Sequence, residues 1–105
     1  MEKRRNIPAY YPRRERLQVY GDILKAIRDE ISEHGIAKLT RVHGRANVPY
    51  DRLQKYIGTL GENGLVECLE KNGHTALRIT ENGMEYLKHM EIAANFLKTF
   101  AKMND

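Results

Sequence analysis

The dipeptide Asn72-Gly73 constrains this chain more than any other feature of it. Both residues tolerate the positive φ that a type I′ turn demands, and a two-residue loop fixes the pairing of its flanking strands by counting outward. Lys71 then faces His74, Cys68 faces Leu77, Val66 faces Ile79, and Glu67 faces Arg78. This register gathers four apolar groups on one face and opposes an acid to a base on the other. A slip of one residue loses both. Strands are therefore predicted over Leu65 to Lys71 and His74 to Ile79, with Cys68 turned into the core as a small hydrophobe. As the only cysteine, Cys68 excludes an intrachain disulfide and a multi-cysteine zinc site, and it fits a reducing, cytoplasmic setting.

Helical periodicity fills the chain on both sides of the hairpin. Leu17, Tyr20, Ile23 or Leu24, Ile27 and Ile31 form one stripe, which predicts a helix from about Arg13 to Glu33 that ends at Gly35. Leu39, Val42 and Ala46 predict a short second helix over Leu39 to Ala46. Asn47-Val48-Pro49 breaks the chain, and Pro49 suits the start of a third helix because its missing N–H has no partner there anyway. That helix is predicted to run to about Glu62 with Leu53, Tyr56, Ile57 and Leu60 inward, and Gly64 follows it.

Thr80 is placed to cap a last helix from Glu81 to about Met103. Leu87, Met90, Ala94, Leu97 and Ala101 follow a helical spacing, with Ala93, Phe96, Phe100 and Met103 beside them. One small domain does not cover a band that wide, so a helix-to-helix homodimer seam is expected at Leu87, Met90, Ala94, Leu97, Phe100 and Ala101. Folding back onto its own domain is the alternative. The chain thus divides into a flexible basic arm (1–12, holding Pro8 and Pro12), a globular unit (13–80) and a dimerisation helix (81–105).

Charge is distributed unevenly. The net charge is +4, but Met1 to Arg16 carry six bases against two acids, and Lys38 to Lys55 carry five bases against Asp51 alone. The segments after each of them are acidic: Leu17 to Ala37 has two bases and four acids, and the chain from Tyr56 has five and seven. Lysines and arginines grouped in this way suit a polyanion, because neutralising phosphates releases counterions. A merely solvated basic face is the alternative. No apolar run approaches the ~18 to 20 residues of a membrane span. The histidines His34, His43, His74 and His89 do not pair at metal-ligand spacing, and Gly58, Gly61 and Gly64 are not followed by the Lys-Ser/Thr of a phosphate loop. The chain is expected to be no enzyme and to need no metal or cofactor.

The order helix, helix, helix, strand, turn, strand, long helix resembles the winged helix-turn-helix arrangement, an α+β fold that is mostly helical. The residue pattern is similar to small archaeal winged-helix DNA-binding regulators, some of which dimerise through a C-terminal antiparallel coiled coil. The likeness lies in Arg13-Arg14-Glu15-Arg16-Leu17 with Tyr20-Gly21-Asp22-Ile23-Leu24, Leu39-Thr40-Arg41-Val42, Ala46-Asn47-Val48-Pro49-Tyr50 with Leu53 and Tyr56-Ile57, Gly64-Leu65-Val66-Glu67, and Ile79-Thr80-Glu81-Asn82-Gly83. Two positions depart from the pattern. Pro49 stands where a capping Ser is expected, and His43-Gly44 replace bulkier or charged residues of the second helix.

The resemblance implies binding to double-stranded DNA, with the third helix in the major groove and the hairpin along the backbone. The helical wheel supplies the side chains. Tyr50, Asp51, Arg52, Gln54 and Lys55 lie away from the apolar stripe near the helix start and are the base-reading candidates: Arg and Lys suit guanine, Gln adenine, and Asp a cytosine amino group. Lys38, Arg41, Arg45, Thr59, Lys71 and His74 are the backbone candidates, and Lys3, Arg4 and Arg5 those of the arm. A nucleoid-associated transcription regulator is the leading expectation. A non-specific architectural protein and a winged-helix protein-interaction module are the alternatives.

Overall fold

The computed structural model describes the backbone of residues 6–104 and the side chains of residues 16–99. The elements run α1 (Asn6–His34), β1 (Ala37–Lys38), α2 (Leu39–Ala46), α3 (Tyr50–Glu62), β2 (Val66–Lys71), β3 (His74–Ile79) and α4 (Glu81–Asn104). The hairpin has the predicted register, from Val66↔Ile79 to Lys71↔His74. Asn72 and Gly73 have φ of 52° and 78°, both in the left-handed region that the turn requires.

Two elements differ from the expectation. α1 starts at Asn6 rather than near Arg13, so residues 6–12 of the expected arm are helical. Pro8 does not oppose this, since the N–H groups of a first turn have no intrahelical acceptor. The second difference is β1, which pairs antiparallel with β3 through Ala37↔Leu77 and Lys38↔Ala76 and makes the sheet order β1-β3-β2. A two-residue strand has no period to detect, but it places β3 in the middle of the sheet.

The core joins every element. Ile23, Leu24 and Ile27 of α1 meet Ala37, Val42, Val48, Leu53, Ile57, Leu60, Val66, Leu77 and Leu87. Cys68 is a correction: it is exposed. It shares a sheet face with Leu77, but β2 is an edge strand whose side chains beyond Val66 are all exposed. Register determines which face a side chain takes, and burial needs a neighbour over that face. Leu17, expected on the inward stripe of α1, is 48% exposed.

The joint between sheet and last helix is close-packed. Thr80 Oγ1 accepts from Gly83 N at 3.0 Å, the predicted cap, and donates to the Gly64 carbonyl at 2.6 Å. Thr80 N donates to the Leu65 carbonyl at 3.1 Å. Gly83 lies so near that carbonyl that a Cβ on it would sit 2.3 Å from the oxygen. Beyond Met90, every described side chain of α4 is exposed. No helix among the described residues is long and apolar enough to cross a membrane.

Candidate nucleic-acid interface

α3 has one dry and one wet face. Leu53, Ile57 and Leu60 are buried and Tyr56 is half-buried, with its ring edge-on to Tyr20 of α1 at 5.5 Å. The other face presents Tyr50, Asp51, Arg52, Gln54 and Lys55, all exposed, so the five base-reading candidates share one surface on a helix anchored from behind. Thr59 differs from them. It is half-buried, and its hydroxyl donates to the Lys55 carbonyl at 3.2 Å.

One of the departures noted in α2, His43, contacts the turn and the start of this helix. His43 Nδ1 donates to the Val48 carbonyl across the turn at 2.9 Å, and its ring packs edge-on against Tyr50 at 5.5 Å. Asn47 ends α2 at φ 57°, a left-handed conformation that Asn adopts at little cost. With Pro49 at the N-cap and its carbonyl accepting from Leu53 N at 2.9 Å, the start of α3 is set by the turn and not by a capping hydroxyl.

Arg41 and Arg45 occupy one cleft of about 340 Å³ with Glu30, Thr40 and Gly44, and both are already hydrogen-bonded. Glu30 of α1 is 3% exposed. Its Oε1 accepts from Arg41 Nε at 3.1 Å and its Oε2 from Arg45 Nε at 2.9 Å. Arg45 also donates to Glu33 at 2.6 and 3.3 Å, and Arg41 to His34 Nε2 at 3.0 Å. Burial alone pushes the Glu30 carboxyl up, yet the hydrogen bonds and charges of Arg45 and Arg41 outweigh it and hold the carboxyl below its ordinary value. Hydrogen bonds to Glu33 and Glu30 raise Arg45 in turn. The positive segment read along the chain is thus partly neutralised in space by α1. Glu30 was absent from the site inferred from sequence, although a signal existed. It lies three residues past Ile27, on the apolar side of α1, where a charge needs a partner.

The remaining candidates are dispersed. Lys38 is exposed on β1, just before α2. Lys71 and His74 are exposed at the wing tip, opposite each other. The wing is not uniformly basic, for Arg78 is hydrogen-bonded to Glu67, and Glu70 accepts from Thr75 at 3.1 Å. Lys3, Arg4 and Arg5 lie outside the described residues, as do the side chains of Phe100 and Ala101.

Of the residues expected at a dimer seam on α4, only some are exposed. Leu87 is 3% exposed within the core, and Met90 is half-buried against Gly21 of α1, so both serve the domain itself. Ala94 and Leu97 are exposed and, with Leu17, line a groove of about 710 Å³ between α1 and α4. Arg28 to Glu91 at 3.2 Å and Tyr86 Oη to the Leu17 carbonyl at 3.0 Å hold these two helices together.

Comparison with known proteins agrees with this fold. The family model described as winged helix-turn-helix matches residues 13–98. Among solved structures, the chain is similar to Sso10a-2, a DNA-binding protein from Sulfolobus solfataricus (TM-score 0.69, 22% identity, 84% of this chain and 86% of that one). A protein from Archaeoglobus fulgidus is similar at TM-score 0.68 and 18% identity over 76% of this chain and 88% of that one. The transcriptional regulator BldR from Sulfolobus solfataricus is similar at TM-score 0.65 and 19% identity, over 81% of this chain and 60% of its own. No curated protein matches the sequence.

Proposed function

The chain belongs to the winged helix-turn-helix family, and from that membership we propose that it is a transcription regulator that binds double-stranded DNA as a homodimer. The observation that carries the reading is α3: five polar side chains, Tyr50 to Lys55, exposed together on a helix whose opposite side is locked by Leu53, Ile57 and Leu60. In this reading α3 enters the major groove by its N-terminal half. Lys38 and the wing residues Lys71 and His74 lie along phosphates, as do Arg41 and Arg45 when their carboxylates release them. Lys3, Arg4 and Arg5 extend the contact from the N-terminal segment. Asp51 and Gln54 favour base reading over pure phosphate binding, since a phosphate surface gains nothing from an acid.

Fluorescence anisotropy with mixed-sequence duplex DNA at several salt concentrations tests this. Log affinity should fall linearly with log salt, by about 0.9 per phosphate contacted. Arg52→Ala should cost about 1 to 3 kcal/mol and relax one base position in a selected site. A loss equal on all sequences would make Arg52 a phosphate contact and point to an architectural protein. No binding at low salt would refute the DNA reading in favour of a protein-interaction module.

The dimer is assigned to the exposed part of α4, Ala94 and Leu97, with Phe100 and Ala101 beyond them. Leu97 is 60% exposed. If its burial stabilises each protomer by about 1.5 to 3 kcal/mol, Leu97→Asp should weaken the dimer at least about a hundredfold in sedimentation equilibrium. A native chain that stays monomeric at every concentration refutes the seam.

A further inference from the structure

We infer that His34 is a pH-operated latch on Arg41, which releases that arginine to a phosphate polyanion as the histidine takes a proton. This rests on the DNA reading and adds a regulation to the same surface. A guanidinium has donors only, so the 3.0 Å contact from Arg41 to His34 Nε2 requires a lone pair on that nitrogen and thus a neutral ring. The charged groups facing His34 are Glu30 and Glu33 on its own helix, whose Oε1 atoms lie 4.0 and 3.9 Å from Nε2, and Arg41 on α2. Arg45 is one hydrogen bond further, through both carboxylates.

A proton on Nε2 turns the Arg41 contact from acceptor against donor into donor against donor, between two cations. His34 then has Glu30 and Glu33 within reach, and Arg41 loses one of its two partners while sharing the other. The Arg41 side chain is 54% exposed, so the guanidinium, now held only through a shared Glu30, faces solvent at the N-terminal end of α2, one helix before α3. Histidines change charge between about pH 5 and 8, within reach of a cell. The coupling is reciprocal: a phosphate that draws Arg41 away leaves His34 free to protonate, so binding DNA takes up a proton.

The experiment is the anisotropy titration repeated between pH 8 and 5.5 at constant salt on the native chain, His34→Gln, Arg41→Ala and the double variant. Glutamine keeps an acceptor for Arg41 but does not titrate. Affinity of the native chain should rise as pH falls, by up to about tenfold per pH unit for one coupled proton. His34→Gln should flatten that rise, and it should change nothing further in the Arg41→Ala background, which separates His34 from His43 and His74. An unaltered pH slope in His34→Gln, or a His34 effect that persists without Arg41, overturns the latch. If the chain binds no DNA at any pH, the DNA reading fails. The latch is then decided in the free protein by NMR, where the signal of the Arg41 Nη2 hydrogens, the donors to His34, should move as pH falls in the native chain and stay still in His34→Gln. A signal that does not move in the native chain refutes it.

Discussion

Replacing Arg41 and Arg45 together by alanine should unfold this chain at markedly lower temperature, because it strands the Glu30 carboxylate. An uncompensated buried charge costs about 3 to 5 kcal/mol. The arginine side chains are 54% and 32% exposed, so water entering in their place moves the expectation to the lower end of that range. For a domain of this size that is a drop in Tm on the order of 15 °C. The pH dependence should also change sign. In the native chain the Glu30 carboxyl is held below its ordinary value of 4.5, so its contribution is present above that pH and is lost as pH falls through the lower folded value. Without the arginines, burial raises the folded value, opposed only in part by His34 at 4.0 Å when that ring is charged. The contribution is then favourable below about 4.5 and is lost as pH rises. Thermal melts from pH 7 to 4 should therefore show the gap between variant and native chain narrowing toward acid. A gap constant across that range would show that Glu30 does not carry the effect. The same result governs how DNA-binding data on Arg41 and Arg45 are read, since a weakened fold lowers affinity without any lost phosphate contact.

Gly83→Ala is the second large effect, and it opposes local propensity. Alanine is the better helix former by about 1 kcal/mol. Here its Cβ would stand 2.3 Å from the Leu65 carbonyl oxygen and 2.7 Å from Ile79 Cγ1. That carbonyl already accepts from Thr80 N, and Leu65 N is held by the Leu60 carbonyl at 2.8 Å, so the backbone has little room to retreat. Overpacking of this kind costs about 1 to 3 kcal/mol, and contact with a tethered carbonyl puts it at the upper end. Gly58→Ala is the control. It lies within α3 with nothing within 4 Å of the added carbon, and should gain about 0.5 to 1 kcal/mol. Melts that shift both variants in the same direction would show that the close approach of α4 to Leu65 is not a constraint.

The two residues thus mark where the sequence could and could not be read. Thr80 was legible as a cap because capping is settled within three residues. The need for glycine three positions later was not, because it comes from a carbonyl 18 residues back along the chain. The same division separates correct from incorrect expectations elsewhere. The register followed from the two-residue turn, and the dry face of α3 from helical spacing. Cys68 was misplaced because sharing a face with Leu77 does not put a helix above it. Helical spacing groups Leu87 with Leu97 at a dimer seam, whereas only the first turns of α4 lie on the domain and Leu87 is buried there.

The features legible along the chain are therefore local: the turn, the pairing it dictates, the extent of α2 and, to within a residue, of the hairpin strands, and the five polar residues that α3 keeps in water. Tertiary structure decided which of the chain's charges are free and which of its apolar faces are covered. Glu30 meets partners 11 and 15 residues away, and Leu17 and Leu87 exchange their expected exposures according to how α1 and α4 cross. Periodicity and turn chemistry act over a few residues of backbone. Desolvation and ion pairing depend on which distant elements come together.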